Sequence, residues 1–537
     1  MAAATEMQGI PLSASVEEKS IHTSGSLKEK RIHSSGVIEK DGTRSPDDTE
    51  ASFEIDKKVE RSYLWKLDTR LIPLLSFMYL LCFMDKSNIG NAKTDGLEKD
   101  IGLSGGQYST AVTMLSVTQM VFEPWQCSMV KKYGAKWVLP TLMFGLYTCN
   151  LTASAPVDES IIGWGSIAMI QAGMVGRGFG SFICLRLALG FFESGFFSGT
   201  VFYMSLFYKR DEMAFRIALF YISATIAGAF SGLFSYGLFQ IKHAPLKGWQ
   251  YLFILEGCVT LIVALFAYWH LPKTPADFRH FTEAEKRVGF VRMSLDGTSE
   301  VNSKFTWTKA VAPFKQWRLW FFCALCICYG AATGSTGTFL PQIVGRLGYS
   351  TVKTNLYTVA PNMAGCFATL AIAKSSDYFR ERSIHLIGAL SLTLTGYIVL
   401  GAIDPVHNIS VSYFACFLLS MGTYAPSCLV HQWHQSNNLD ESGRAFTTGV
   451  MLALSNVGVI VTSQLFQNKW APAYKQALYG TAGFQAAAIC IVATLGIMYR
   501  LVNKKRDKQL GYKLKIQDVP TSELVNGYAD PRFRFQY

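Results

Sequence analysis

Long apolar runs that recur along the chain constrain its fold more than any other feature. Several of them, such as residues 250–271 and 478–500, exceed the roughly 18 residues that mark a candidate membrane span. Only 16% of the 537 residues are charged, and these lie mostly outside the runs. In soluble domains about a quarter of the residues are charged. The sequence therefore predicts an all-α protein with many membrane-spanning helices.

The runs divide into two groups of six. A six-helix bundle is predicted over residues 61–271, and a second over residues 319–500. A polar cytoplasmic loop, residues 272–318, connects them. Residues 1–60 are rich in Ser, Glu, Lys and Asp without periodic apolar positions, which predicts a disordered cytoplasmic tail. Residues 501–537 form a second cytoplasmic tail.

One stretch, which follows the third span, fits the pattern of spans poorly. We place the third span at residues 137–155, where an apolar run follows a basic loop. The next residues, 156–179, begin with polar side chains and are rich in glycine. Counting them as a further span would make thirteen and break the charge pattern described next. We therefore predict an outward, partly interfacial loop there.

The positions of Lys and Arg predict the orientation in the membrane. With both termini in the cytoplasm, the inner loops hold nineteen of these residues and the outer loops hold nine, as the positive-inside rule requires. Two N-glycosylation sequons, at Asn150 and Asn408, then lie at outward ends of spans. We expect a multi-pass, monomeric protein of the plasma membrane.

Several other functional classes are excluded by pattern. The net charge of +12 is distributed over the ends of apolar runs, and no nucleic-acid-binding module appears. Cys323 and Cys326 form a CxxC inside an apolar run, where packing explains them better than zinc or redox chemistry. No nucleophile–base motif, metal cluster or phosphate loop is present. We expect neither an enzyme nor a bound cofactor or metal ion.

The two groups of spans show a weak internal repeat. The loop between the second and third spans contains Lys131–Lys136, KKYGAK, and the corresponding loop of the second group contains Asp377–Arg382, DYFRER. Related halves with a binding site between them are typical of secondary transporters.

Four ordered motifs between residues 60 and 505 resemble one group of carriers. They are LLCFMDKSNIGNA at 80–92, RLALGFFESGFFSG at 186–199, GWQYLFILEG at 248–257, and Trp433 followed by Asn437, Asn438, Gly443 and Arg444. These resemble the signatures of fungal allantoate-permease and nicotinate-permease-like carriers, in the anion:cation symporter group of the major facilitator superfamily. The final residues 530–537, DPRFRFQY, resemble the tail of nicotinate-permease-like members.

The resemblance implies a major facilitator fold of twelve transmembrane helices in two six-helix halves, and uptake of a small organic anion with protons. Three departures weaken the assignment of a substrate, and one of them is the length of the insertion at residues 156–179. The loop Lys131–Lys136 has only Lys as charged residues, where the superfamily usually has an Asp and an Arg. Ser198 replaces the usual Pro.

Arg186 and Glu193 form the strongest candidate pair. A spacing of seven residues is two helical turns, so both side chains project from one face about 10 Å apart. Charges inside a bilayer are costly and must face protein or a wet cavity. A guanidinium binds a carboxylate through two parallel hydrogen bonds, and a buried carboxyl suits proton coupling. Anion symporters of the resembled group use this Arg and Glu, whereas a structural ion pair is the alternative.

Other charged residues have two interpretations each. Asp85 and Lys86 are adjacent, so they point about 100° apart on a helix; they serve either a gate or the substrate site. Glu123 and Glu256 are intramembrane carboxyls that suit packing or gating better than proton binding.

Polar residues near the inner side complete the list of candidates. Asp377, Arg380 and Arg382 fit a cytoplasmic gate latch or, equally, a solvated charge cluster. Asn437 and Asn438 suit hydrogen bonds to a substrate, with a structural role as the alternative. His431 and His434 are expected at the surface.

The sequence therefore predicts a proton-coupled symporter for a nicotinate-, pantothenate- or allantoate-type carboxylate. A drug:proton antiporter of the same fold is an alternative, although the fifth span lacks the Gly-Pro element typical of that class. A non-transporting nutrient sensor is another, although the tail after the last span is short.

Overall fold

The computed structural model describes residues 37–38, 54–103, 107–144, 164–209, 212–239, 241, 245–295, 305–345, 347, 351–404, 407–466, 474–514 and 530–537. Within these ranges the secondary structure is almost entirely helical. Val37–Ile38 and Glu54–Ile55 form one short antiparallel β-pair, β1 and β2.

The described part of the first half contains nine α-helices. They are α1 (Lys57–Thr94), α2 (Leu97–Ile101), α3 (Gln107–Tyr133), α4 (Ala135–Phe144), α5 (Trp164–Gln171), α6 (Gly178–Glu193), α7 (Phe196–Met204), α8 (Met213–Phe239) and α9 (Gly248–His270).

The connecting loop and the second half contain nine more. They are α10 (Glu283–Leu295), α11 (Trp307–Val311), α12 (Trp317–Gly345), α13 (Thr351–Phe379), α14 (Ser383–Ala402), α15 (Ile409–Thr423), α16 (Ala425–Ser436), α17 (Glu441–Leu465) and α18 (Lys475–Leu510).

Local sequence explains where two of the spans are interrupted. After α6, Gly195 has a φ of +70°, and a Cβ at this position would lie 2.4 Å from the Cβ of Gln126 on α3. Only glycine permits both the left-handed turn and this close approach. Between α15 and α16, Pro426 occupies the first turn of the new helix, where it requires no backbone donor. Broken helices of this kind are common near transporter binding sites.

Twelve membrane spans result when the described helices are grouped by these interruptions. Eight stretches are long and apolar enough to cross a membrane. The pairs α6–α7 and α15–α16 each form one such stretch. The spans built from α3, from α4 with α5, from α8 and from α13 complete the set.

The two halves pack by the same plan. In the first half α1 packs against α8, α3 against α6, and α4 and α5 against α9. In the second half α12 packs against α17, α13 against α15, and α14 against α18. The first, second and third spans of each half therefore contact its fifth, fourth and sixth. This correspondence supports the internal repeat seen in the sequence.

The same correspondence corrects the prediction for the third span. Residues 164–171, predicted as part of an outward loop at 156–179, form the buried helix α5 and pack against α9, as α4 does. Together α4 and α5 contain 18 residues, or about 27 Å of helix, which is close to the roughly 30 Å of a hydrocarbon core. The predicted span at 137–155 agrees with α4 as far as Phe144, and residues 145–163 lie outside the described residues.

The halves contact each other along α3–α17 and α8–α13. At one point the backbones of α3 and α17 are in direct contact. A Cβ on Gly449 would lie 2.6 Å from the Cα of Pro124 and 2.9 Å from the carbonyl oxygen of Glu123. No larger residue fits there without separating the two helices.

The end of the bundle at which α1 begins and α18 ends is called the terminal end below. The connecting loop is tied to it through α10. Arg292 on α10 is buried and forms ion pairs with Glu60 on α1 and with Glu212, which lies just before α8. Glu285 on the same helix binds Lys66 at 2.7 Å. The predicted polar loop at 272–318 is therefore largely helical and packed in its described parts.

The predicted tails have different outcomes. Most of residues 1–60 lie outside the described residues, and α1 begins at Lys57. Helix α18 continues to Leu510, beyond the predicted end of the second bundle at residue 500. Residues 530–537, in the predicted tail 501–537, are described and largely buried.

Candidate substrate and coupling site

Glu193 is the last residue of α6, directly before the helix break at Ser194 and Gly195. Its carboxyl is fully buried. One carboxyl oxygen accepts a hydrogen bond from Gln119 Nε2 on α3 at 2.9 Å. The same oxygen lies 3.9 Å from Lys86 Nζ on α1. Three spans of the first half therefore converge on this one carboxyl.

Lys86 is the accessible member of the charge cluster. Its side chain is 32% exposed, whereas that of its partner Glu193 is inaccessible. Asp85, its neighbour in sequence, is buried. The two side chains thus occupy different environments, as their helical geometry predicts. Of the two cations near Glu193, Lys86 therefore has the more accessible side chain and Arg186 the more buried one.

Arg186 lies two helical turns before Glu193 on α6, and both side chains are buried, as expected for residues on one face. Arg186 is 1% exposed, and its guanidinium carbon lies 5.3 Å from the centroid of the Phe182 ring. Asp85 and Glu193 are close enough to interact with it electrostatically. Among the described residues, its Nε and one terminal nitrogen have no hydrogen-bond partner. A buried guanidinium with unused donors is a strong potential anion receptor.

Two further buried carboxyls belong to this cluster. Asp85 interacts electrostatically with Glu193 and Arg186, and Glu256 on α9 interacts with Asp85 and Glu193. Neither Asp85 nor Glu256 has a hydrogen-bond partner for its carboxyl oxygens among the described residues. Three carboxyls thus surround the two cations, Lys86 and Arg186, in one low-dielectric region.

Glu123 differs from these because its partner belongs to the other half. Asn456 Nδ2 on α17 donates a hydrogen bond to Glu123 Oε2 at 3.1 Å. The bond lies beside the close contact of Gly449 with Pro124. Glu123 also interacts electrostatically with Lys86. It therefore connects the charge cluster of the first half to the second half, which fits its predicted gating role better than a purely local packing role.

Aromatic and polar side chains face each other between the halves. The Phe197 ring on α7 lies 6.2 Å from that of His431 on α16, and the Tyr221 ring on α8 lies 6.4 Å from that of Tyr424. Tyr424 also donates a hydrogen bond to Asn362 at 3.0 Å. Sequence reasoning did not find Tyr221, Tyr424 or Asn362. Isolated aromatic residues within apolar runs look the same whether they face lipid or protein.

The two histidines are buried, so their predicted surface position is wrong. His431 Nε2 lies 2.7 Å from the hydroxyl of Tyr329, and His434 Nε2 lies 2.8 Å from Thr447 Oγ1. The polar composition of α16 suggested a solvated helix end. Its two histidines instead face neighbouring helices, with Tyr329 on α12 and Thr447 on α17 as their partners.

The residues predicted to form a latch lie at the connection between α13 and α14. Asp377 forms an ion pair with Arg382 at 2.6 Å, and Arg382 is fully buried. The other oxygen of Asp377 accepts a hydrogen bond from the backbone nitrogen of Phe215, on α8 of the first half, at 2.7 Å. Arg380 lies in the connecting turn with a φ of +54°. A solvated charge cluster does not describe this arrangement, because Asp377 connects the two halves.

A second contact between the halves at this end was not predicted. Lys131, at the end of α3, forms an ion pair with Glu441, at the start of α17, and both side chains are nearly inaccessible. The two residues are separated by 310 positions in sequence. Only the packing of α3 against α17 reveals that they form a pair.

The two predicted substrate asparagines lie at the terminal end rather than in the charge cluster. The Asn437 amide both donates to and accepts from the backbone of Gln536, each at 2.8 Å. Asn438 is the second residue after α16 and is also buried. The residues 530–537 thus occupy the hydrogen-bonding groups of Asn437, and we leave both asparagines out of the substrate site.

One of the two sequon asparagines lies within the described residues. Asn408 is exposed and precedes the first turn of α15. Asn150 lies outside the described residues.

Comparison with known proteins gives the family. The family model described as Major Facilitator Superfamily matches residues 75–463. The chain belongs to the major facilitator superfamily. It is 45% identical over 466 residues to the MFS-type transporter efuF of Hormonema carpetanum, an alignment that covers 87% of this chain and 90% of the relative.

Two further comparisons concern function and fold. The high-affinity nicotinic acid transporter of Saccharomyces cerevisiae is 30% identical over 486 residues, covering 89% of this chain and 85% of that protein. Among solved structures, the proton:xylose symporter XylE superposes with a TM-score of 0.63 at 14% identity, over 81% of this chain and 95% of that one.

Membership in the major facilitator superfamily confirms the predicted all-α fold of twelve transmembrane helices in two six-helix halves. It also establishes the general function. This multi-pass membrane protein is a secondary transporter of small molecules and not an enzyme.

Proposed function

We propose that this transporter takes up a small organic anion, of the monocarboxylate type, together with a proton. The observation on which the proposal rests is the Lys86–Glu193 pair. A partly accessible ammonium lies 3.9 Å from a fully buried carboxyl. An arriving carboxylate competes with Glu193 for that ammonium.

Competition of this kind links anion binding to proton binding. When the substrate pairs with Lys86, Glu193 keeps its hydrogen bond from Gln119 but loses the ammonium that lies beside it. An unpaired charge in a low-dielectric interior costs several kcal/mol, which a proton on the carboxyl removes. Glu193 is therefore the proposed proton-coupling residue, and Asp85 and Glu256 are the nearby carboxyls that can share the proton.

Arg186 is the second proposed substrate-binding residue. Its unused donors suit a carboxylate better than a neutral group, because charge-assisted bonds are roughly twice as strong as neutral ones. Its burial means that a substrate reaches it only after passing Lys86. Lys86 then acts as the first cation that the substrate meets.

The comparison with the yeast nicotinic acid transporter supports a vitamin-like carboxylate as the substrate class. The facing rings of Phe197, Tyr221, Tyr424 and His431 offer flat surfaces to a ring-bearing anion. Both observations favour nicotinate over the pantothenate and allantoate types.

Uptake measurements in cells that lack their own permeases test the proposal. Labelled nicotinate, pantothenate and allantoate are supplied with nicotinamide as the uncharged control. We expect one acid to accumulate, and a protonophore to abolish its accumulation. Lys86→Gln should abolish uptake, whereas Lys93→Gln, on the exposed last turn of the same helix, should not. Equal uptake of the amide, or outward transport of unrelated cationic drugs, would contradict anion symport.

We also propose that the terminal end faces the cytoplasm at the plasma membrane. The excess of Lys and Arg in the loops at this end supports the orientation. In intact cells an impermeant thiol reagent should label Asn408→Cys, and Tyr512→Cys should stay shielded until the cells are opened. Both positions are exposed in the structure. Labelling of Tyr512→Cys from outside would reverse the orientation.

A further inference from the structure

The last described segment, residues 530–537, is bound as a peptide would be. We name it the tail peptide. Phe533, Arg534, Phe535 and Gln536 are all buried. They lie in a groove at the terminal end of the second half, formed by the ends of α12, α14, α16 and α18. We propose that the tail peptide is an intramolecular ligand that keeps the latch closed.

Backbone recognition fixes the register of the tail peptide. The Asn503 amide on α18 donates to Phe535 O at 2.7 Å and accepts from Phe535 N at 2.9 Å. The Asn437 amide does the same with Gln536, and Trp433 Nε1 donates to Gln536 O at 2.8 Å. Two side-chain amides thus imitate a neighbouring β-strand for consecutive residues. This is the hydrogen-bond pattern by which grooves bind extended peptides.

Side chains of the tail peptide add specificity. The Phe535 ring stacks on Tyr499 with centroids 4.9 Å apart and planes inclined by 10°. The guanidinium of Arg318 lies 4.6 Å from the Phe535 centroid. Arg534 forms an ion pair with Asp507 at 2.8 Å. The groove therefore selects an aromatic and basic segment, with one ring held between an arginine and a tyrosine.

The tail peptide also contacts the latch directly. Tyr537 O accepts a hydrogen bond from the backbone nitrogen of Arg382 at 2.7 Å. Arg382 holds Asp377, which in turn accepts from Phe215 N in the first half. A continuous series of contacts thus leads from the tail peptide to the other half. Releasing the tail peptide frees the start of α14 and weakens the contact between the halves at the terminal end.

The first measurement tests docking. Gln536 is 4% exposed, and its backbone makes the bonds described above. In inverted membrane vesicles we expect the thiol introduced by Gln536→Cys to resist an impermeant maleimide. Adding Asn437→Ala and Asn503→Ala should raise its labelling rate at least about tenfold, because each lost hydrogen bond weakens docking several-fold. Pro531→Ala, at an exposed position of the tail peptide, is the matched control and should change nothing.

The second measurement tests the effect on the latch. Ala445 on α17 is fully buried in a cluster with residues of the first half. The thiol introduced by Ala445→Cys should be labelled several-fold faster when Asn437→Ala and Asn503→Ala release the tail peptide. In an Asp377→Asn background the latch is already weakened. There, the same release should increase the labelling rate only slightly further.

Three results would overturn the proposal. One is labelling of Gln536→Cys in the otherwise unchanged protein as fast as labelling of the exposed Tyr512→Cys. Another is release of the tail peptide without faster labelling of Ala445→Cys. The third is an equal effect of release with and without Asp377→Asn, since independent contributions add. Rates are normalised to monodisperse protein and to the same chain without the added thiol, which removes misfolding and native cysteines from the comparison.

Discussion

The two halves of this transporter share a packing plan but differ in where they place charge. In the first half, charged side chains lie within the spans: Asp85, Lys86, Glu123, Arg186, Glu193 and Glu256. In the second half, the described charges lie at helix ends, as at Asp377, Arg382 and Glu441. The interior polar groups there are neutral, such as Asn362 and Asn456.

This difference assigns different tasks to two copies of one architecture. Buried charges are costly, so they persist where binding and proton transfer need them. The first half is thus the candidate for the chemistry. The second half supplies neutral contacts in the membrane, together with the ion pairs and the tail peptide that we propose hold the terminal end closed.

The largest expected effect concerns the charged half. Glu193→Gln should lose uphill, proton-driven accumulation completely while still exchanging labelled for unlabelled substrate, because the amide cannot bind and release a proton. Uptake with and without a protonophore, together with counterflow, measures the two activities. Glu283→Gln, whose carboxyl on α10 is 90% exposed, is the control. Full accumulation by the Gln variant would move the coupling role to Asp85, Glu123 or Glu256.

The next effect concerns the contact between the halves. Lys131→Met removes one partner of a nearly inaccessible ion pair and leaves Glu441 unpaired in the closed arrangement. Breaking such a pair costs up to about 3–5 kcal/mol, so the terminal end should open, and the thiol of Ala445→Cys should be labelled much faster. The charge exchange Lys131→Glu with Glu441→Lys should restore protection. Unchanged labelling in the single variant would show that this pair does not hold the halves together.

A smaller effect is expected for the buried guanidinium. Arg186→Lys keeps the charge but loses one of two charge-assisted hydrogen bonds to a carboxylate. That loss corresponds to about 1.5–3 kcal/mol, or roughly 10- to 150-fold in affinity. Concentration-dependent uptake and surface expression are measured together, with the exposed Arg287→Lys as the control. Normal affinity in the Lys variant, with less folded protein in Arg186→Ala, would mean that Arg186 is a structural ion-pair partner.

The smallest effect is expected where the halves differ in chain length. The third span of the second half is the continuous helix α14, whereas that of the first half is α4 and α5, with residues 145–163 between them. Deleting residues 145–162 joins Phe144 through Gly163 to Trp164 and produces a helix of ordinary span length. Surface expression and uptake should stay within about twofold of the unchanged protein. Deleting residues 385–402, an equally long part of α14, should abolish both, and a comparable loss from the first deletion would contradict the two-part span.

Sequence periodicity and charge were sufficient for the twelve-span fold and for the members of the charge cluster. Hydropathy detects a span only where the apolar residues are contiguous. It therefore missed α5, which residues 145–163 separate from α4 in the sequence. It also could not pair residues that are distant in sequence. Lys86 with Glu193, Lys131 with Glu441, and Asn437 with Gln536 depend on which helices become neighbours. His431 and His434 show the same limit, because the polarity of a helical residue does not reveal whether its side chain faces water or another helix.

The glycine contact between the halves has a mechanical consequence. Gly449 lies eight residues from the start of α17 at Glu441 and sixteen from its end at Leu465, or about 12 Å and 24 Å at 1.5 Å per residue. If the halves rotate about the point where Gly449 contacts Pro124, these lengths are unequal lever arms. Separating Lys131 from Glu441 by about 4 Å would bring the opposite ends of the same helices together by about 8 Å, a twofold ratio that follows from the arm lengths. A small displacement at the tail peptide would then produce a large closure on the far side of the membrane.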